Sequence, residues 1–249
     1  MRIRGPLLLA ASFAVASALV FAAMTQFPPL SVEERSKLRF PTNIGDIRDA
    51  HSVLHSYQET NGSAVIFAFC VAYVVLQTFA IPGPLLLSIL AGALFDRLTA
   101  LVLVSLCATS GASLCYLLSQ HSASGLVKNY VPKKQLNYLK TQVEKRHNFD
   151  LLSFMLFLRL SPLLPNWLIN VSSPHVGVPM WLFFSATFLG LIPANVVHVS
   201  TGTQLLQLTD DSVGLDMSTV ALFAGFGFVL LLPTLLKDWF RQKLGMKDE

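Results

Sequence analysis

The sequence predicts an all-α, polytopic membrane protein with two oppositely oriented re-entrant helical hairpins, each followed by a transmembrane helix. Three observations lead to this prediction. Hydrophobic residues make up 53% of the 249 residues and charged residues only 13%, whereas a soluble domain carries about 25% charge. Several apolar runs reach the length of about 20 residues that a helix needs to cross a bilayer. Two apolar segments are interrupted by proline beside polar residues.

The two interrupted segments read FAIPGPLLLS at residues 79–88 and FLRLSPLLPNW at residues 157–167. Proline removes a helical hydrogen bond and disfavours helix in the residue before it, so neither segment is expected to continue as a simple span. Broken backbone at membrane depth is tolerated only where it is buried in protein or lines a wet cavity. Two breaks in corresponding positions therefore indicate a substrate path near the middle of the bilayer.

The N-terminal region, residues 1–62, combines an apolar run with a polar connector. The run spans residues 7–27 and follows Arg2 and Arg4, which allows either a first span or a cleaved signal peptide. In the connector, apolar residues recur at helical spacing between residues 44 and 57. This spacing predicts a short amphipathic helix on the membrane surface.

The first proline break follows an apolar run at residues 64–81, which ends abruptly at Pro82. The chain between Pro82 and Arg97 is too short for two full spans. It therefore predicts a re-entrant hairpin with Gly92 near its turn. The apolar residues 98–118 predict the span that follows.

The second half of the chain repeats this order. Only eight apolar residues, 151–158, precede Arg159 and the second proline break. Residues 151–178 therefore predict the second hairpin, and residues 180–199 predict the span after it. A last span is predicted at residues 220–236.

Charge outside the predicted spans bears on their orientation but leaves the N-terminal side open. Arg2 and Arg4 favour the cytosol for it, whereas counting back from a cytosolic tail with an uncleaved first span places it in the lumen. Basic residues concentrate in the connector 121–150 and in the tail 238–249, which favours the cytosolic face for both, and the loop near residue 210 is acidic. The region between the N-terminal segment and this tail, residues 63–237, is predicted as one membrane domain.

The two halves form a weak internal repeat. Pro82 precedes Gly111 by 29 positions, and Pro162 precedes Gly190 by 28. Because one intact span separates the hairpins, they are expected to enter from opposite faces, as in transporters that are built from inverted repeats. Chance similarity between apolar segments is the alternative interpretation.

Arg159 is the strongest candidate for a functional side chain. A charge within a membrane segment costs about 2.5–3.5 kcal/mol on insertion scales, so it usually faces protein or water. Its guanidinium suits a lipid phosphate, which it can bind with two parallel hydrogen bonds. The alternatives are an anchor at the head-group interface and a structural ion pair with Asp150 or Asp96.

The other candidates are polar or helix-breaking residues of the same segments. Proline and glycine at the breaks free backbone groups, and free amides at a helix start attract phosphate. The asparagines can line a polar groove or cap the hairpin. An Asn–His pair on one helix face can complete a cavity, relay a proton or form an interhelical hydrogen bond. The predicted head-group path comprises Arg159, Asn166, Asn170, Pro82, Gly83, Pro84, Pro162, Pro165, Asn195 and His198, and the predicted helix-packing residues are Gly92, Gly111 and Gly190.

Several classes of function lack their characteristic residues in this chain. The sequence contains no GxxxxGK[ST] phosphate loop, no GxSxG nucleophile elbow and no HExxH motif. Its three cysteines fall inside apolar runs, where small buried hydrophobes are expected. We therefore expect no enzymatic activity, no cofactor, no metal site and no nucleic-acid partner.

Five short motifs together carry a resemblance to a known family. The sequence resembles the VTT-domain family, also described as DedA-like or SNARE-associated, and most closely its transmembrane protein 41 branch. The likeness covers about residues 40–237. The matching motifs are LQTFAIPG at 76–83, LSILAG at 87–92, GASLCY at 111–116, FLRLSP at 157–162 and PNWLIN at 165–170.

The resemblance implies an all-helical fold with two facing re-entrant hairpins. It also implies ATP-independent scrambling of phospholipids in the endoplasmic reticulum, in support of autophagosome formation and lipid distribution. The implied partners are membrane phospholipids and other autophagy or trafficking membrane proteins. Two alternatives are a proton- or sodium-coupled transporter of a lipid phosphate or small solute, and a membrane scaffold without transport. The chain departs from the family pattern at Phe95-Asp96-Arg97, where relatives often carry glycine or proline, so a differently built turn is expected there.

Overall fold

The computed structural model describes residues 4–25, 31–37, 44–122, 131–146, 148–161 and 164–207. Within these ranges all regular secondary structure is helical. The predicted last span, the acidic loop, the tail 238–249 and Pro162 lie outside the described residues.

The described helices are named in chain order. Three segments among them are long and apolar enough to cross a membrane, namely Asn61–Thr78, Arg97–His121 and Met180–Gln204. The prediction of an all-α membrane protein is thus confirmed. The helices are α1 (Arg4–Thr25), α2 (Val32–Lys37), α3 (Ile44–Thr78), α4 (Pro84–Leu94), α5 (Arg97–Ser122), α6 (Lys133–Glu144), α7 (Asn148–Leu160), α8 (Asn166–Ser172) with a 3-10 turn at Ser173–His175, and α9 (Met180–Gln207).

Helix α3 joins two segments that the sequence separates. The predicted amphipathic helix and the following apolar run form one element with a kink at Asn61, whose backbone is non-helical at φ −139° and ψ 46°. Val53 is buried, and Leu54 and Tyr57 pack partly buried against the neighbouring hydrophobic core. The apolar side of the amphipathic segment therefore packs against the protein.

The first proline break begins with a defined helix end. The amide of Ile81 donates to the carbonyl of Leu76 at 2.9 Å, and the amide of Ala80 donates to the carbonyl of Gln77 at 3.3 Å. Ala80 has a positive φ of 54°. This pair of bonds is the Schellman arrangement, which closes a helix with a left-handed residue after its last turn. Gly83, with φ 144°, then redirects the chain into α4.

The prediction of a turn near Gly92 is wrong, because α4 continues unbroken through this residue. Gly92 instead allows close packing, since a Cβ here would overlap the carbonyl oxygen of Val199 on α9. Gly202 repeats this contact from the other helix, where a Cβ would overlap the carbonyl oxygen of Ile89. Thr203 adds a hydrogen bond from its Oγ1 to the Gly92 carbonyl at 3.0 Å.

The chain turns after α4 at Phe95 and Asp96, the point where the family pattern is broken. Phe95 has extended backbone at φ −111° and ψ 158° and ends α4. The Asp96 carboxylate accepts a hydrogen bond from the amide of Thr99 at 3.1 Å, which caps the first turn of α5. A capping aspartate thus forms a turn without glycine.

The packing of the two halves is reciprocal. Helix α3 packs against α5, and α7 packs against α9 in the corresponding way. Helix α4 packs against α9 of the other half, and α8 packs against α5. The long helices α5 and α9 contact each other between these pairs. This exchange of partners is what a repeat of two interlocked units produces.

The short helices are too short to cross a membrane. Helix α7 has 13 residues, or about 20 Å at 1.5 Å per residue, against a hydrocarbon core of about 30 Å. Helix α6 covers this part of the bundle, with Leu139 and Val143 buried. The Arg146 guanidinium carbon lies 4.7 Å from the centre of the Phe154 ring and fastens the end of α6 to α7.

Candidate functional site

A cavity of about 350 Å³ lies where the two proline breaks come together. Its walls come from the end of α3, the start of α4, the start of α8 and the middle of α5 and α9. Apolar side chains such as Leu85 and Leu191 form part of the lining. The polar lining residues are Tyr73, Gln77, Ser88, Asn166, Asn170, Asn195 and His198.

Most of the predicted head-group path borders this cavity. Six of its residues line the cavity directly, and Gly83 lies between two of them in the chain. Pro165 is exposed and immediately precedes α8 as its N-cap residue. The role of these residues as a lipid path stays a prediction. The six lining residues are Pro82, Pro84, Asn166, Asn170, Asn195 and His198.

Arg159 lies behind the cavity wall and contacts two residues that line it. Its side chain is only 6% exposed. One terminal nitrogen, Nη1, donates to Asn166 Oδ1 at 3.3 Å, and the other, Nη2, donates to Asn170 Oδ1 at 2.8 Å. Nη2 also donates to Thr187 Oγ1 at 2.7 Å. The guanidinium therefore ties α7 to both α8 and α9.

Two further contacts fix the Arg159 side chain. The guanidinium carbon lies 4.9 Å from the centre of the Phe183 ring, within the range of a cation–π contact. The aliphatic stem crosses α9 at Gly190, where a Cβ would stand 2.6 Å from Arg159 Cβ. Nε has no hydrogen-bond partner among the described residues.

The described residues show neither of the two alternative roles of Arg159, which are a structural ion pair and an anchor at the head-group interface. The ion pair with Asp96 or Asp150 is absent there, because the Asp96 carboxylate caps α5 and the Asp150 side chain is exposed. An anchor at the head-group interface would be exposed, whereas Arg159 is buried. The charge is held by neutral hydrogen-bond acceptors and an aromatic ring.

Arg159 determines the orientation of the two asparagines. A guanidinium has only donors, so it must bind the amide oxygens of Asn166 and Asn170 and not their nitrogens. The NH₂ groups are then the other ends of both amides, and no hydrogen bond from either group is found among the described residues. Because both residues line the cavity, this wall offers hydrogen-bond donors beside a buried positive charge.

The part of the lining near α5 includes a hydrogen-bond acceptor. Asn195 Nδ2 donates to Ser105 Oγ at 3.1 Å, which leaves Asn195 Oδ1 as an acceptor. His198 is half-buried and lines the same cavity one helical turn away. The predicted interhelical hydrogen bond therefore forms at Asn195.

Sequence reasoning missed four polar residues of this site. Tyr73, Gln77 and Ser88 line the cavity, and Thr187 holds Arg159 from behind. The Tyr73 hydroxyl lies 3.0 Å from Ser88 Oγ, joining α3 to α4. The available signal was polar residues inside apolar helices, which tend to face protein or a polar cavity.

The packing glycines lie beside the site. A Cβ at Gly111 would stand 2.5 Å from Gln77 Cβ, so this glycine brings α5 close to the end of α3. Gly190 has the same relation to Arg159 and α7. The two glycines let the long helices approach the segments that carry the breaks.

Comparison with known proteins identifies the family. The VTT domain matches residues 81–204. The transmembrane protein 41 homolog of Caenorhabditis elegans is 39% identical over 231 residues, which cover 93% of this chain and 92% of the relative. Transmembrane protein 41B of Mus musculus and that of Homo sapiens are 38% and 37% identical over 237 residues, which cover 95% of this chain and 81% of each relative. No solved structure gives a significant match. The chain is an integral membrane protein that belongs to the VTT-domain (DedA-like) family, in its transmembrane protein 41 branch.

Proposed function

We propose that this protein is an ATP-independent phospholipid scramblase. The observation that carries the proposal is the cavity beside the helix breaks, whose mixed lining includes two asparagines that a buried arginine holds in place. A charged head group must cross a hydrocarbon core of about 30 Å, and a polar cavity replaces the water that it loses there. The acyl chains stay in the surrounding lipid.

The phosphate of the lipid binds at the donor wall. The free NH₂ groups of Asn166 and Asn170 donate to phosphate oxygens, and the positive charge of Arg159 behind them strengthens this attraction. Arg159 is thus a positioning residue, because its own nitrogens are already bound to protein acceptors. This differs from direct phosphate binding by the guanidinium, which the sequence favoured.

Two opposed re-entrant hairpins form the path in this proposal. The reciprocal packing of the two halves supports a repeat of two interlocked units, and transporters are often built from repeats of opposite orientation. The first hairpin of this proposal begins earlier than the predicted segment 82–97 and consists of the end of α3 and of α4. The second hairpin consists of α7 and α8. Their tips border one cavity.

Passive movement is favoured over coupled transport by the lining of the cavity. None of the described lining residues is Asp or Glu, the side chains that commonly bind sodium or relay protons in carriers. His198 is a lining side chain that can bind and release a proton, and it keeps a proton-coupled alternative testable. The family resemblance is the basis for three further parts of the proposal. These are location in the endoplasmic reticulum, a role in autophagosome formation and contact with trafficking proteins.

Reconstitution tests the proposed activity. The purified protein is placed in liposomes that contain a fluorescent phospholipid in both leaflets, and dithionite bleaches the outer leaflet. We expect bleaching to continue well past the outer-leaflet fraction without ATP or an ion gradient. Bleaching that stops at half the signal would contradict the proposal, and activity that requires a proton or sodium gradient would favour the coupled transporter over it.

The donor wall is tested by Asn170→Asp. The new carboxylate keeps an acceptor for Arg159 and adds an ion pair, so folding is preserved, but it replaces the free NH₂ group with negative charge. We expect scrambling to slow by about tenfold or more, because like charge repels the phosphate in a poorly screened cavity.

Asn137→Asp is the matched control, since Asn137 is exposed on α6 and distant in the fold from the cavity lining. It makes the same chemical change and should leave the rate unchanged. Equal rates for both variants and for the wild type would remove the donor wall from the mechanism.

A further inference from the structure

Gln77 and Arg159 occupy equivalent places in the two halves of the protein. Gln77 is on α3 just before the first break, and Arg159 is on α7 just before the second. Gln77 packs against Gly111 of α5, and Arg159 packs against Gly190 of α9. In each half the glycine lies on the long helix that the polar residue's own helix contacts. In both places the contact is between the glycine and the β-carbon of the polar residue.

The residue three positions before each glycine decides what the polar side chain binds. Before Gly190 this residue is Thr187, which accepts a hydrogen bond from Arg159 at 2.7 Å. Before Gly111 it is Ala108, which has no polar side-chain atom and lines the cavity. At the position that corresponds to Thr187, helix α5 therefore has no side chain that could hold the Gln77 amide as Thr187 holds Arg159.

The Gln77 amide faces the cavity without a hydrogen-bond partner among the described residues. Its side chain is half-buried and lines the cavity. Ser105, Ala108 and Gly111 follow one another at three-residue steps on one face of α5. Asn195, bound to Ser105, and Gln77, beside Gly111, therefore belong to the same wall.

We propose that Gln77 binds the amine end of the lipid head group and makes the path selective for head groups that donate hydrogen bonds. This inference rests on the proposed scramblase function. Gln77 and Asn195 line the same cavity as Asn166 and Asn170, and in this proposal the amide oxygens of Gln77 and Asn195 are the acceptors for the amine. A phosphate at the donor wall places the ammonium group of an ethanolamine head group toward these acceptors. Choline, with three methyl groups on nitrogen, has no N–H to donate.

Two substitutions at Gln77 separate this role from simple packing. Gln77→Leu keeps most of the side-chain volume and removes the amide, and Gln77→Glu adds a negatively charged acceptor. Rates are measured in liposomes with phosphoethanolamine and phosphocholine lipids that carry the fluorophore on an acyl chain, so that both head groups stay native. The matched control is Gln120→Leu on the exposed side of α5.

We expect the wild type to move the ethanolamine lipid faster than the choline lipid by about threefold or more, the effect of one modest hydrogen bond. Gln77→Leu should bring this ratio close to one, Gln77→Glu should raise it, and Gln120→Leu should leave it as in the wild type. A ratio that is the same in the wild type and both Gln77 variants, with scrambling intact, would overturn the inference and leave the proposed function standing.

If the wild type does not scramble lipids at all, the proposed function fails. A binding measurement then tests the inference about Gln77 separately. Trp167 lines the cavity, and replacing Trp181 and Trp239 with phenylalanine makes it the sole tryptophan. Its emission is followed while short-chain phosphoethanolamine or phosphocholine lipid is added in detergent. Tighter binding of the ethanolamine lipid that Gln77→Leu abolishes supports the inference, and equal binding of both lipids by the wild type contradicts it.

Discussion

Arg159 shows how one charge is accommodated in an apolar bundle without a counter-ion among the described residues. A buried charge is costly unless its donors are bound. Asn166, Asn170 and Thr187 supply three neutral acceptors, and the face of Phe183 supplies a fourth contact. The Arg159 side chain joins α7, α8 and α9 beside the break between α7 and α8. It therefore contributes both to the stability of the fold and to the geometry of the site.

Arg159→Lys tests this dual role while keeping the charge. A lysine ammonium is a point donor and cannot reach three acceptors that are arranged around a planar fork. We expect the free energy of unfolding to fall by about 2–3 kcal/mol, because buried acceptors lose their donor, and scrambling to slow by about tenfold. Thermal unfolding in lipid nanodiscs and the dithionite assay measure the two effects.

Arg97→Lys is the control for that substitution. Arg97 is exposed and donates from one nitrogen to Ser200 at 3.2 Å. This variant should keep both stability and rate near the wild-type values. If Arg159→Lys behaved in the same way, the guanidinium geometry would have no part in the site.

The helix boundaries illustrate what sequence can and cannot predict for single elements. Pro82 and Pro84 placed the first break correctly, because proline acts on its own backbone whatever surrounds it. The turn predicted near Gly92 was wrong, because a glycine in an apolar helix can allow either a turn or a close contact with another helix. Only the position of the partner helix decides between the two. Asp96 at the next turn replaces a glycine by capping α5, which local sequence alone allows but does not require.

Gly92→Ala tests the seam between α4 and α9. The added Cβ overlaps the backbone of Val199, which cannot move aside as a flexible side chain would. We expect a loss of about 1–3 kcal/mol in the free energy of unfolding, the range for overpacked cores. Thermal unfolding of the purified variant in nanodiscs measures it.

The control for the seam is Gly62→Ala. A Cβ at Gly62 meets one side-chain atom of Gln58, at 4.0 Å, which is ordinary contact. Because alanine also restricts the unfolded chain, this variant should be unchanged or slightly more stable. An equally small effect at Gly92 would mean that the two helices separate readily.

At the scale of the whole molecule, the sequence indicated a repeat but not how its halves interlock. The spacing from Pro82 to Gly111 and from Pro162 to Gly190 aligned the two units. That α4 packs on α9 of the other unit depends on tertiary contact between small residues far apart in the chain. Gln77 and Thr187 were not recognised, because the role of each depends on a partner distant in the sequence, Gly111 for Gln77 and Arg159 for Thr187.

Labelling of single cysteines tests the proposed hairpins. In a variant without its three native cysteines, one new cysteine replaces His55, Asp96, Asp150 or Pro179, all of which are exposed. If both hairpins are re-entrant and opposed, a membrane-impermeant maleimide should reach positions 55 and 96 from one face and positions 150 and 179 from the other. The measurement uses sealed vesicles of known orientation.

One pattern of labelling would contradict the hairpins. Positions 55 and 96 on opposite faces would mean that α3 crosses the bilayer completely. A maleimide that enters the vesicles is the control, because it must label all four positions.

The cavity has amide donors beside Arg159 and, in the proposed mechanism, acceptors beside Gln77, and this difference has a consequence for lipid distribution. A binding preference at one step lowers the barrier for inward and outward passage by the same amount, as detailed balance requires, and cannot by itself favour one destination. A scramblase of the proposed kind therefore sorts lipids by speed but dissipates any imbalance between leaflets. A membrane that contains it and stays asymmetric must have an energised flippase working against it.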